Sequence, residues 1–427
     1  MINKYLDLQA QAVRYLYYKR KDCRLCHSKK LTEYLDLGFT PPADQFRTSG
    51  ELSLPEISYP LKVMFCRDCG FSQLSHVVDP RVLYQFDYPY ESSTTKTGQI
   101  HWQQFADQVV KRLKLEPKSL VVDIGSNVGV LLKSFQNSGM RVCGVDPAPN
   151  IVKIANEKFK IKTLCDFFSE NSVKQILKSE GQASVITGSN VFAHIDNLDS
   201  MMKAVVKLLN KKGVFIFESP HFTNLVENLE YDTIYHEHLS YLSLKPLIIF
   251  FRRFNLEPFA VEESKIHGGS FRVYIDRIKE RPIDSSIKNL LKKEQLSGIH
   301  DLTILNKFSR RVYQNREELV WLVENLLHQG KRLAIVSTPA KGMTLLNYCG
   351  LNRRHFKYAT EPTPLKIGRF TPGGHIPILT DEYLLKDQPD YALLLAWNFA
   401  EEIMKNLSEF KKRGGKFIIP VPKPKIV

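Results

Sequence analysis

The feature that most constrains this chain is the regular alternation that begins at "SLVVDIG" and runs for about a hundred residues. Strand-like "SLVVDIG", "RVCGVD", "SVITGS" and "GVFIFES" alternate with helix-like "VLLKSFQN", "IVKIANEKF" and "DSMMKAVVKLL". Alternation at this spacing predicts a parallel sheet covered by helices on both faces. The helical spacing of "QIHWQQFADQVVKRLKL" precedes it, and a second, shorter alternation follows: "RLAIVST", "MTLLNYC", "YALLLAWN" and "GKFIIPV". Between them the tract from Ser286 to Gly330 reads as long and helical. With 427 residues the chain exceeds one average core, and the expected division is 1–85, 86–265 and 266–427. The first twenty or so residues read as an amphipathic helix or a mobile lead.

Where the first strand meets its helix, "VVDIGSNVGVLL" places Asp123, Gly125, Asn127 and Gly129 in one loop. Gly125 and Gly129 let the backbone turn sharply and approach a ligand, and Asp146 ends the next strand, where a carboxylate accepts hydrogen bonds from ribose hydroxyls. The spacing is GxxxG, unlike the GxGxxG of nicotinamide sites. It is similar to the D/E-x-G-x-x-x-G strand end of class I S-adenosylmethionine methyltransferases. Asp166 of "CDFF" is then placed to hold the adenine amino group, and Asn190 falls just beyond a strand end in the same crevice.

Four of the seven cysteines form two CxxC pairs, Cys23 with Cys26 and Cys66 with Cys69, separated by 39 residues. Each pair seats two thiolates on a tight turn, and together they make the closed all-sulfur shell of structural zinc. The segment between is short apolar runs broken by Pro, Gly and Asp, which needs such a staple. His27 and His76 are nearby substitutes that four thiolates make unnecessary.

The net charge of +15 favours anionic partners. The basic residues are dispersed, however, with no basic and aromatic strip beside the cysteines, so nucleic acid is not the expected partner. No run approaches a membrane span, no signal peptide opens the chain, and a cytoplasmic location is expected.

Several further stretches occur in one order: "LGFTPPADQF", "YPYESS", "NVFAHI", "YDTIYHEH", "HGGSFR", "TPAKGMTLLNYCG", "PLKIGRFTPGGHIPI" and "LLLAWNF". With the paired CxxC units and "DIGSNVG", the chain resembles, over nearly its whole length, the nucleotide-sugar C-methyltransferases that act on 4-keto deoxyhexoses. The resemblance implies an α/β architecture: a small N-terminal zinc-binding domain, a central class I Rossmann-like methyltransferase domain and a C-terminal Rossmann-like domain. It implies S-adenosylmethionine as cofactor, zinc as structural metal, and a dTDP-linked 4-keto-6-deoxy sugar as substrate. His194, Tyr235, Glu237 and His238 match the proposed active-site residues, with Tyr88 or Tyr90 from "YPY". One departure is Asn127–Val128–Gly129 where the family commonly carries Asn-Asp-Gly.

Methylation at carbon needs a carbanion equivalent, and the cluster from Tyr231 to Ser243 holds the proton-handling groups to generate one. His238 is the expected base; Glu237 orients it or binds a sugar hydroxyl; Tyr235 and His194 hydrogen-bond the developing enolate oxygen. The bases of His238 and His194 are interchangeable on this reading. In the third region, the loop at Lys341 and Gly342 opens a helix where amides meet a diphosphate, His267 lines the cleft, and Gly268 and Gly269 form a turn. Other readings are O- or N-methylation of another nucleotide sugar, or a zinc-bearing RNA methyltransferase. Monomer and homodimer are both open.

Overall fold

The computed structural model describes residues 17–85, 96–264 and 268–427. Its centre is a seven-stranded sheet of β1 (Leu120–Ile124), β2 (Arg141–Asp146), β3 (Thr163–Cys165), β4 (Ala183–Ser189), β5 (Leu209–Pro220), β6 (Leu256–Ser264) and β7 (Ser270–Arg277). The spatial order is β6-β7-β5-β4-β1-β2-β3. The pairs β1–β2, β2–β3, β1–β4 and β4–β5 are parallel. Strand β7, however, runs antiparallel to both β5 and β6. The sheet is therefore mixed where a parallel one was expected. The link from β6 to β7 is too short for a crossover, so the two strands form a hairpin.

From β1 the chain moves outward to β3, then returns to β4 on the other side of β1. This reversal opens a crevice beyond the carboxyl ends of β1 and β4. Strand β1 is buried along all five residues, as its apolar run requires when both faces are covered. The sheet extends past the expected boundary at residue 265, because β7 completes it.

The N-terminal region folds as a four-stranded sheet, Leu31–Thr40, Tyr59–Cys66, Ser72–Leu74 and Ser240–Tyr241, the last strand being lent by the central region. The described end of the lead, Tyr17–Lys19, is a strand paired with His76–Val78 rather than a helix. A six-stranded sheet around Leu333–Val336 forms the C-terminal region. The long helical tract is two helices, Ser285–Ser297 and Leu302–His328. Gly298 ends the first with φ 68°, and the Asp301 side chain caps the second by accepting from the Thr303 amide.

Two cores cross the regional divisions. Leu35, Leu61 and Val63 of the N-terminal sheet pack in one cluster with Phe308 and Val312 of the long helix and Ile335 of the C-terminal sheet. Leu25 and Phe71, beside the cysteines, share another with Phe192, Phe217 and Leu242 of the central region. Among the described residues no helix is long and apolar enough to cross a membrane.

Candidate active site and zinc centre

The four cysteines predicted to hold zinc converge, and their Sγ atoms all lie within 4.8 Å of one another. Cys23 and Cys69 are 3.6 Å apart, as are Cys26 and Cys66. A tetrahedral ion with Zn–S bonds of about 2.3 Å requires S–S separations of about 3.8 Å, so the site fits zinc. Both CxxC turns close alike: the His27 amide donates to the Cys23 carbonyl and the Gly70 amide to the Cys66 carbonyl, with φ of 62° and 79° at these positions. His27 instead reaches Asp199 (2.9 Å) and Asp22, while His76 meets Ser75.

The loop after β1 forms a cradle at the crevice. Gly125 and Gly129 have φ of 63° and 86°, and a Cβ on Gly125 would run into Val191. Asp146 ends β2 and accepts from the Asn127 amide (2.9 Å) through one oxygen and the Ala148 amide (3.0 Å) through the other. Each oxygen keeps a lone pair for a further donor. Burial raises the Asp146 carboxyl above its ordinary range, against the pull of those two amides.

Asp123 lies beneath the loop, receives the Thr187 hydroxyl at 2.6 Å, and is pushed up to about 7 by burial, with Asp146 adding to the rise. The Asp166 amide donates to the Asp146 carbonyl, which sets "CDFF" beside the cradle. Across the crevice Asn190 (φ 57°) donates its amide to the Glu218 carbonyl, and its buried Oδ1 has no partner among the described residues. An orphaned acceptor facing a ligand crevice fits the polar adenosyl group that this loop type binds. Val128 is fully buried against Ala148 and Ile151, which explains an apolar residue in place of the family carboxylate.

Beyond β4 and β5 a cavity of about 30 Å³ is lined by Asn190, His194, His221, Thr233 and His238. The rings of His194 and His238 are 4.9 Å apart, and the Tyr235 ring lies 3.9 Å from that of His238. His238 Nδ1 is 2.7 Å from the Thr233 carbonyl oxygen. A carbonyl only accepts, so Nδ1 carries a proton, and in the neutral imidazole Nε2 then holds the lone pair of a base. Burial first, and the neighbouring His238 second, hold His194 well below the usual histidine range, so it is neutral at pH 7. Glu237, the residue before His238, is buried.

The structure brings in two residues that the sequence reading did not select. Tyr84 hydrogen-bonds His194 Nδ1 at 3.2 Å and stacks on its ring. Its signal was membership of the tyrosine-rich "LYQFDYPY". His221, in "FIFESPHF", lines the cavity and pairs through Nε2 with buried Glu294 at 2.9 Å. No sequence signal links residues 73 positions apart. His236, left without a role, meets the Tyr59 carbonyl and ring, and burial lowers it to about 4. Tyr88, Tyr90 and His267 lie outside the described residues.

In the C-terminal region Lys341 sits over the Trp397 ring (3.9 Å) and 4.0 Å from Asp232, which also accepts from Trp397 Nε1 at 2.6 Å. Burial lowers the lysine and raises Asp232, and it pushes nearby Glu230 up to about 7. Gly342 faces inward: a Cβ there would lie 2.7 Å from Leu395 Cβ. Its amide donates to the Pro339 carbonyl. Gly268 and Gly269, at φ 87° and 120°, lie in the turn that enters β7.

The doubly wound sheet, the cradle after β1 and the four-thiolate cluster define an S-adenosylmethionine-dependent methyltransferase with a zinc-binding unit. Family models agree along the chain: "Putative zinc binding domain" over residues 23–84, "Methyltransferase domain" over 99–261 and "C-methyltransferase C-terminal domain" over 265–422. The chain is 34% identical to the C-methyltransferase NovU of Streptomyces niveus over 95% of its own length and 96% of the relative's. It belongs to this C-methyltransferase family. A shorter similarity, 27% identity over 30% of this chain and 38% of the relative, is to the sterol 4-C-methyltransferase strm-1 of Caenorhabditis elegans. Among solved structures, an S-adenosylmethionine-dependent methyltransferase from Anabaena variabilis ATCC 29413 is 18% identical, with 42% of this chain and 85% of that chain covered and a TM-score of 0.34.

Proposed function

We propose that the enzyme methylates C3, next to the keto group of a dTDP-linked 4-keto-6-deoxy sugar, through an enolate, in branched deoxysugar biosynthesis. The observation that carries this reading is His238, whose Nδ1–H is held by the Thr233 carbonyl while its ring borders a cavity shared with neutral His194. A keto group acidifies the adjacent C–H, and a neutral imidazole Nε2 is matched to removing that proton near pH 7.

His194, neutral and hydrogen-bonded to Tyr84, stabilises the enolate oxygen together with Tyr235. Glu237 binds a sugar hydroxyl or orients the base. Tyr88 or Tyr90 completes the site by family resemblance. Gly125, Gly129 and Asn127 shape the cofactor loop, Asp146 takes the ribose hydroxyls, Asp166 the adenine amino group, and Asp123 and Asn190 border the same crevice. Bound there, S-adenosylmethionine supplies an electrophilic methyl group, and the chain's task is to align the substrate carbon with it. Lys341, with Gly342 in the same helical turn, and His267 serve the nucleotide end. Zinc has no open position in a four-thiolate shell, so its role is structural. The domains are 1–85, 86–265 and 266–427, with β7 completing the central sheet, and the enzyme is cytoplasmic, working as a monomer or homodimer.

The test is mass spectrometry of the protein incubated with S-adenosylmethionine and a panel of dTDP-4-keto-6-deoxyhexoses, with His238→Ala alongside. One added methyl group that disappears in the variant is expected. Methylation at the wild-type rate by the variant would remove His238 as base.

A further inference from the structure

Arg24 lies between two zinc ligands, Cys23 and Cys26, and its side chain is fully buried. A residue inside a CxxC turn has its backbone fixed by the metal on both sides, so its side chain projects from a rigid base. Arg24 Nε donates to Asp196 Oδ1 at 3.0 Å. Asp196 is two residues beyond His194, at the end of the short helical turn Phe192–His194. Arg20 donates to the same carboxylate oxygen at 2.9 Å and to the Asp196 carbonyl at 3.0 Å, and the Tyr18 hydroxyl donates to its other oxygen.

The same guanidinium is also linked to the segment that carries the other histidine. Arg24 Nη1 donates to the Leu74 carbonyl at 2.8 Å, and the Leu74 amide donates to the carbonyl of Leu239, the residue after His238. Ser240 and Tyr241 then pair with Gln73 and Ser72 as a strand of the zinc-binding sheet. Gln73 Oε1 in turn accepts the Arg24 amide at 2.8 Å. Both histidine segments are thus tied, one by an ion pair and one through a single backbone residue, to the side chain seated in the first zinc turn.

We infer that Arg24, with Asp196, is a positioning residue: the zinc unit sets the separation and orientation of His194 and His238 rather than only folding its own segment. The inference rests on these two histidines being the proton-handling pair. It assigns to Arg24 no contact with substrate. A misplacement of about 1 Å at such a pair is worth roughly 100-fold in rate, so a rigid anchor at that distance has a measurable consequence.

The test uses the zinc-loaded full chain, labelled with 13C at histidine Cε1, as wild type, Asp196→Asn and Arg24→Lys. Zinc content, S-adenosylmethionine affinity by calorimetry, the histidine NMR resonances and kcat for methyl transfer to a dTDP-4-keto-6-deoxyhexose are recorded for each. The expected result for Asp196→Asn is one zinc per chain, unchanged S-adenosylmethionine affinity, displaced His194 and His238 resonances, and kcat lowered about 10-fold or more with KM for the cofactor unchanged. Arg24→Lys, which keeps the charge, should displace the same resonances less; it decides the question if Asp196→Asn does not fold. His194 and His238 resonances that stay at their wild-type positions in a folded variant would overturn the inference. Full activity of His238→Ala would instead overturn the proton-handling reading and leave the NMR result standing by itself.

Discussion

The central and C-terminal sheets begin with the same device and finish it differently. In both, a loop leaves a buried strand and enters a helix, and an acid ending the next strand accepts an amide from that loop. Asp146 takes the Asn127 amide in the central sheet, and Glu361 takes the Thr338 amide (2.8 Å) and hydroxyl (2.7 Å) in the C-terminal one. The central loop carries glycines at its turning points and leaves Asn190 Oδ1 without a partner across the crevice. The C-terminal loop is filled from its own protein: Lys366 Nζ donates to the Thr338 carbonyl (2.8 Å), lies 4.8 Å from the Phe46 ring, and Leu395 closes on Gly342. A Rossmann-like start therefore binds a cofactor only where the turn is left open. In the C-terminal loop the Thr338 amide, hydroxyl and carbonyl are satisfied internally, which leaves the cofactor no such opening there.

Substitutions at matched positions sharpen this contrast. Gly125→Ala places a Cβ at φ 63° against Val191; strain and clash together are expected to weaken S-adenosylmethionine binding about 100-fold by calorimetry. Unchanged affinity would break the comparison on its central side.

Next in size is a pH effect. Asp123 titrates near 7 when folded and near its ordinary value, about 3.9, when unfolded. The folded state binds the extra proton in between, so wild-type stability falls as pH rises from about 4 to 7 on account of this group. Asp123→Asn should match wild type below pH 4 and gain an advantage that grows by up to about 1.4 kcal/mol per pH unit until pH 7, read as the difference in urea midpoints across pH. An advantage that does not grow with pH would contradict it.

The smallest effect is expected at Gly342→Ala. Overpacking against Leu395 should cost about 1 to 2 kcal/mol of stability and leave S-adenosylmethionine affinity untouched. A loss of cofactor affinity there would show that the two loops are not divided as described.

What was legible in the sequence had a local cause. The cradle could be read because a turn with positive φ selects glycine, and the cysteine cluster because chelation fixes spacing. The helical tract was read as one piece because Gly298 and Asp301, a stop and a start three residues apart, interrupt a continuing apolar period. The antiparallel β7 was missed for a related reason: a strand's direction depends on its connection, not on its composition. Tyr84 beside His194, Glu294 beside His221 and Arg24 beside Asp196 are pairings across long stretches of chain. Nothing in either partner's own neighbourhood encodes them.

The most direct test of the account is solvent exchange at the substrate carbon. Incubated in deuterium oxide with a dTDP-4-keto-6-deoxyhexose and no methyl donor, the wild-type enzyme should introduce one deuterium next to the keto group, seen by mass spectrometry and located by NMR. His238→Ala should leave the sugar unlabelled while retaining zinc. Exchange by the variant at the wild-type rate, or methylation by the wild type with no detectable exchange of that proton, would contradict His238 as the base that forms an enolate.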